Sequence, residues 1–131
     1  MPDLKTALII DDDSDIRELL RMMLESGGFQ VDALSDGIDA VAIKKFYDVI
    51  LLDLQMPVFD GQRLTDYWEL TEPEILRRVI VLTGYSRLAS DRKPATFASI
   101  AKPFDYRELM KVVDACAAQF GKAPSSGGDH V

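Results

Sequence analysis

A three-layer α/β domain built on a parallel sheet is the fold this sequence predicts, and three observations carry the prediction. Short apolar runs without alternation, Ala7-Leu8-Ile9-Ile10, Val49-Ile50-Leu51-Leu52 and Val79-Ile80-Val81-Leu82, have the length and composition of strands covered on both faces. Between them the apolar period becomes helical, and strand and helix alternate as right-handed crossovers on both faces of a parallel sheet require. The chain has 131 residues, 47% of them hydrophobic, which suits one domain with a sizeable core.

The elements follow in order. After the first run, Ile16, Leu19, Leu20, Met23 and Leu24 recur at helical spacing, and Gly27-Gly28 supplies the stop. Phe29-Gln30-Val31-Asp32-Ala33 alternates, as a more edge-like strand does. Residues Asp36 to Phe46 and Gly61 to Leu70 read as the next helices, and Phe97-Ala98-Ser99-Ile100-Ala101 as a weaker fifth strand. Leu109, Val112, Val113, Cys116 and Phe120 form the stripe of a last helix, ended by Gly121. Between Ser86 and Ala95 the apolar spacing is poor and Pro94 opposes helix continuation, so a fourth helix there is expected to be short or distorted. The expected division is a domain over residues 1–120 and a flexible tail over 121–131, a Pro/Ser/Gly-rich stretch that carries the single histidine, His130.

Charge and composition exclude several functions. The formal net charge of -7 repels a phosphate backbone, so nucleic-acid binding by this domain is not expected. No apolar run approaches the ~20 residues that span a bilayer, which makes the expected location cytoplasmic and the expected partners exclude membranes. The single Cys116 lies on an apolar stripe, where a small buried side chain is expected rather than a nucleophile.

The chemistry collects at strand ends. In an open α/β sheet, ligands bind beyond the carboxyl ends of the strands, and Asp11, Asp12 and Asp53 all lie there. Carboxylates packed together repel, and a hard divalent ion such as Mg²⁺ is the natural compensation. Taken alone, Asp11-Asp12 fits helix capping and metal binding equally well, with Asp13 or Ser14 as the expected cap. Asp53 differs, because a carboxylate closing a buried apolar run needs a partner. Lys102, ending the last strand before Pro103, offers an ammonium for that carboxylate or for a phosphoryl group. Thr83, followed by Gly84, offers a hydroxyl donor, although Thr-Gly and Lys-Pro taken singly are common turn pairs.

Together, Leu8-Ile9-Ile10-Asp11-Asp12-Asp13, Leu51-Leu52-Asp53-Leu54-Gln55-Met56-Pro57 with Asp60-Gly61, Val81-Leu82-Thr83-Gly84 and Lys102-Pro103-Phe104 resemble the receiver domain of two-component response regulators, including its chemotaxis-type single-domain members. The resemblance runs from about Thr6 to Phe120. It implies a flavodoxin-like fold with strand order 2-1-3-4-5 and about five helices. It further implies that Asp53 is the phospho-acceptor, that Asp11, Asp12, Asp53 and the Gln55 backbone carbonyl hold Mg²⁺ or Mn²⁺, and that Lys102 and Thr83 contact the phosphoryl group. The implied partners are a histidine kinase or histidine phosphotransfer protein and a downstream protein target, with the chain a monomer or weak homodimer. No turnover of an external substrate is expected, only self-phosphorylation and self-dephosphorylation.

Two departures from that pattern stand out. The aromatic residue usual three positions before the lysine is replaced by Ser99, and Tyr85 is a candidate substitute for its switching role. The interval from Thr83 to Lys102 is also about one helical turn shorter than is usual in the family. A second reading makes the chain the receiver fragment of a longer DNA-binding regulator or of a hybrid kinase. A hydrolase passing through an aspartyl phosphate is disfavoured, because the segment after Asp53 lacks a second carboxylate to serve as general acid and base. A calcium loop over Asp11, Asp13 and Asp15 fails because Ile16 replaces the needed glycine and Met22 the terminal glutamate.

Overall fold

The computed structural model describes residues 4–54, 61–84 and 96–119. Five strands, β1 (Lys5–Ile10), β2 (Phe29–Leu34), β3 (Val49–Asp53), β4 (Val79–Gly84) and β5 (Ala98–Lys102), form one parallel sheet in the order β2-β1-β3-β4-β5. The helices among the described residues are α1 (Ser14–Ser26), α2 (Gly37–Val41), α3 (Gly61–Thr71), a 3₁₀ helix (Pro73–Arg78) and α4 (Tyr106–Ala118). The alternating Phe29–Leu34 segment is indeed an edge strand. The expected irregular helix over residues 86–95 and the tail lie outside the described residues.

The absence of alternation in the central strands is explained by a core on each face. Ala7, Ile9, Val49, Leu51, Ile80, Leu82 and Ile100 meet α1 and α4 through Leu20, Leu24, Leu109 and Val113. The intervening residues Leu8, Ile10, Ile50, Leu52, Val79 and Val81 meet Ala40, Leu64, Trp68 and Leu76 on the other face. Cys116 is fully buried in the first cluster, and burial pushes its thiol up to about 12, which removes it from nucleophilic chemistry at neutral pH. No helix among the described residues is long and apolar enough to cross a membrane.

Three expectations are corrected. Leu19 belongs to the apolar spacing of α1 but is 45% exposed; the buried stripe narrows to Leu20 and Leu24, with Ile16 and Met23 at its margins. Helix α2 ends at Val41 rather than running to Phe46. The cause is tertiary: Tyr47 is buried and donates to the Asp32 carboxylate on β2 at 2.6 Å, joined there by Lys45 at 3.2 Å. Those contacts hold residues 45 and 47 against β2 and outweigh the helix propensity of Ala42, Lys44 and Lys45. The fifth strand begins at Ala98 rather than Phe97, and Lys102 closes it as expected.

At the amino end of the sheet, Asp48 is fully buried and accepts from the Thr6 backbone N–H at 2.8 Å and the Thr6 hydroxyl at 3.2 Å. The Asp48 backbone N–H donates in return to the Thr6 carbonyl at 3.0 Å. This clasp starts the parallel register that runs from Ala7 beside Val49 to Ile10 beside Leu52. Replacing Asp48 with Ala leaves the half-buried Thr6 donors without their carboxylate and is expected to destabilise the domain by about 1–3 kcal/mol in urea unfolding.

Candidate functional site

The register between the two strands ends at Ile10 beside Leu52, and the next residues on the two strands are Asp11 and Asp53. Both are buried, Asp11 at 1% and Asp53 at 4% exposure, whereas Asp12 is exposed. Carboxylate oxygens of Asp11, Asp12 and Asp53 lie within 4.8 Å of one another. From β5, Lys102 brings its Nζ to 3.5 Å from Asp53 Oδ1. The sequence-predicted carboxylates and lysine therefore converge on one edge of the sheet.

Thr83 completes the edge from β4. Its neighbours are set by register, with Asp53 beside Leu82, Thr83 beside Ala101 and Gly84 beside Lys102. The Thr83 hydroxyl oxygen is buried and has no hydrogen-bond partner among the described residues. An unpartnered buried hydroxyl costs stability unless a ligand uses it, and Thr83 follows directly on Leu82, the register partner of Asp53. Ser99 pairs with Val81, which by the pleat of the strand puts it on the Thr83 side of the sheet, half-buried. Gln55 and Tyr85, predicted as a carbonyl ligand and a switch residue, lie outside the described residues.

Asp13 is the N-cap of α1, accepting from the Asp15 and Ile16 backbone N–H groups at 2.9 and 3.2 Å. Asp11 is held differently. Its backbone N–H donates to the Leu34 carbonyl at 3.1 Å, and its Oδ1 accepts from the Asp13 backbone N–H at 2.9 Å. Its Oδ2 is buried without a hydrogen-bond partner among the described residues. The pair Asp11-Asp12 is thus separated from the capping role, which Asp13 fills, and one buried carboxylate oxygen is left for a cation. Hard oxygen donors of this kind suit Mg²⁺ or a similar divalent ion.

Burial pushes the Asp11 carboxyl up to about 6; the Asp53 and Asp12 charges add to the rise, and the Asp13 N–H and Lys102 oppose it. Because a cation needs the ionised form, a metal entering below that value must displace a proton. Divalent-cation affinity is therefore expected to fall as pH drops through about 6 and to level off above it, which titration calorimetry at pH 5, 6 and 7.5 measures.

Gly61 opens α3 against the end of β3, where its N–H donates to the Leu54 carbonyl at 3.1 Å. A Cβ there would collide with the Asp53 carbonyl oxygen and sit 2.7 Å from Leu54 Cα. Only glycine lets α3 start this close to the strand that carries Asp53. Gly61→Ala is expected to cost about 1–3 kcal/mol by crowding backbone that cannot yield, and to lower cation affinity at the same time, as paired unfolding and binding measurements would reveal.

Comparison with known proteins places this edge in context. The model of the response regulator receiver domain matches residues 7–114. Sporulation initiation phosphotransferase F of Bacillus subtilis strain 168 is 32% identical over 111 residues, covering 81% of this chain and 88% of that protein. Transcriptional regulatory protein ResD of the same organism is 35% identical over 113 residues, covering 82% of this chain but only 46% of the longer relative. Among solved structures, the receiver domain of a sensor histidine kinase from Pseudomonas aeruginosa PAO1, with a magnesium ion coordinated in its active-site cleft, aligns with a TM-score of 0.76 and 30% identity over 88% of this chain and 99% of that one. Response regulator TrrA of Thermotoga maritima, in complex with Mg²⁺ and BeF, aligns with a TM-score of 0.77 and 29% identity over 86% and 99% of the two chains. With the family model spanning both the strands and their acidic edge, the chain belongs to the response regulator receiver domains, whose general function is to accept a phosphoryl group.

Proposed function

We propose that Asp53 is the phospho-acceptor of this receiver and that the chain works as a phosphorylation-dependent signalling switch. The observation that carries the reading is the setting of Asp53: a buried carboxylate at a strand end, 3.5 Å from the Lys102 ammonium and grouped with Asp11 and Asp12. Asp11, Asp12 and Asp53 would hold Mg²⁺, with the Gln55 carbonyl as the further protein ligand. The ion, when bound, neutralises charge on the transferring phosphoryl oxygens.

The chain's own residues account for the remaining steps. An Asp53 carboxylate oxygen attacks the phosphorus of a phosphohistidine donor, the O–P bond forms, the N–P bond breaks and the imidazole leaves with a proton. Lys102, already beside Asp53, stays near the charge as it moves onto the phosphoryl oxygens. Thr83 supplies a hydroxyl that has no partner among the described residues and would donate to a phosphoryl oxygen once it is transferred. Water later cleaves the acyl phosphate and returns Asp53. The donor is a histidine kinase or phosphotransfer protein, and output passes through contact with a downstream protein or through onward phosphoryl transfer.

Residues 1–120 form the receiver in this reading and 121–131 a tail. A role as the receiver segment of a longer regulator is supported by the 46% share of ResD that the chain spans. Incubation with a small phosphodonor and Mg²⁺ is expected to add one phosphoryl group to the wild type, seen by intact mass, and none to Asp53→Asn. Labelling of the variant to the same stoichiometry would move the acceptor elsewhere.

A further inference from the structure

Arg17 stands in the first turn of α1 and is tied twice to the loop that carries the acidic pair. Its backbone N–H donates to the Asp13 carbonyl at 2.9 Å, and its guanidinium Nη1 donates to the Asp11 carbonyl at 2.8 Å. The second bond is charge-assisted and short, the stronger class of hydrogen bond. Asp11 is then fixed at its N–H by Leu34, at its carbonyl by Arg17 and at Oδ1 by the Asp13 N–H, and among the described residues its Oδ2 has no hydrogen-bond partner. Fixing the whole peptide of Asp11 fixes where that oxygen points.

We infer that Arg17 is a positioning residue for the cation site, acting through the Asp11 backbone carbonyl to hold Oδ2 aimed at the ion. The inference rests on the reading of Asp11, Asp12 and Asp53 as ligands. Arginine suits the task because its long side chain reaches back over the helix start while its planar fork keeps the donor direction. Partners behind a metal ligand orient it, and losing one typically lowers metal affinity roughly tenfold or more.

A second arginine on the same helix supplies the control. One turn further on, Arg21 Nη1 donates to the Val31 carbonyl of β2 at 3.1 Å and pairs with Glu25 at 3.5 Å, away from the acidic edge. Removing either arginine deletes one guanidinium-to-carbonyl bond between α1 and the sheet layer, but only Arg17 touches a candidate ligand.

The test is an amide-shift titration with Mg²⁺ of wild type, Arg17→Met, Arg17→Lys and Arg21→Met, with thermal melting of each. Arg17→Met is expected to weaken Mg²⁺ binding roughly tenfold, Arg17→Lys to recover part of the loss, and Arg21→Met to stay within about twofold of wild type. At saturating Mg²⁺, labelling of Arg17→Met by a small phosphodonor should return near the wild-type rate. Unchanged Mg²⁺ affinity in Arg17→Met, or an equal loss in Arg21→Met, would overturn the inference. If Arg17→Met does not fold, Arg17→Lys against Arg21→Met carries the same comparison. A wild type that binds no Mg²⁺ overturns the site reading itself, and this inference with it.

Discussion

The parallel register between β1 and β3 is the constraint on which the rest of the molecule depends. It begins where Thr6 and Asp48 exchange hydrogen bonds and ends at Ile10 beside Leu52, directly before Asp11 and Asp53. A slip of one residue would carry Ile9 and Leu51 to the opposite helical layers and separate the two aspartates. The cores on the two faces oppose that slip, because Ala7 and Ile9 serve one cluster while Leu8 and Ile10 serve the other. Packing along the whole strand therefore determines a spacing at its end.

The carboxyl edge then carries a cost that the core must offset. Two ionised carboxylates less than about 5 Å apart repel by roughly 3 kcal/mol at the effective dielectric of a protein site, a sizeable part of the stability of about 5–15 kcal/mol typical of a domain. Lys102 relieves this at Asp53, and the raised Asp11 carboxyl shows the strain of burial on the other partner. A buried Asp11 oxygen and a buried Thr83 hydroxyl, without hydrogen-bond partners among the described residues, add to the cost. Groups left in that condition at one edge make sense as binding positions for a cation and a phosphoryl group, since each gains a partner on binding.

Much of this was legible in the sequence, for physical reasons. Strands buried on both faces must be apolar throughout, so Val49 to Leu52 and Val79 to Leu82 declare themselves, and Asp53, closing the first of these runs, is a carboxylate that needs a partner. The boundaries of α2 were not legible, because Tyr47 is held against β2 by Asp32, a contact between residues 15 apart in sequence. The 3₁₀ helix over Pro73–Arg78 was missed as well; Pro73 at its first turn was the available signal. Helix-start chemistry narrowed the cap to Asp13 or Ser14, of which the structure has Asp13, whereas the Arg17 contact with the Asp11 carbonyl depends on how the loop folds back over the helix, and nothing in spacing alone reports it.

The central claim is that one sheet edge gathers a phosphoryl acceptor, a cation site and two phosphoryl contacts. A crystal structure of the chain with Mg²⁺ and beryllofluoride tests it most directly. Beryllofluoride is expected on an Asp53 carboxylate oxygen, with the ion held by Asp11 and Asp53 and the Lys102 ammonium and Thr83 hydroxyl on the fluorides. Beryllofluoride on another residue, or an ion held away from Asp11 Oδ2, would contradict it.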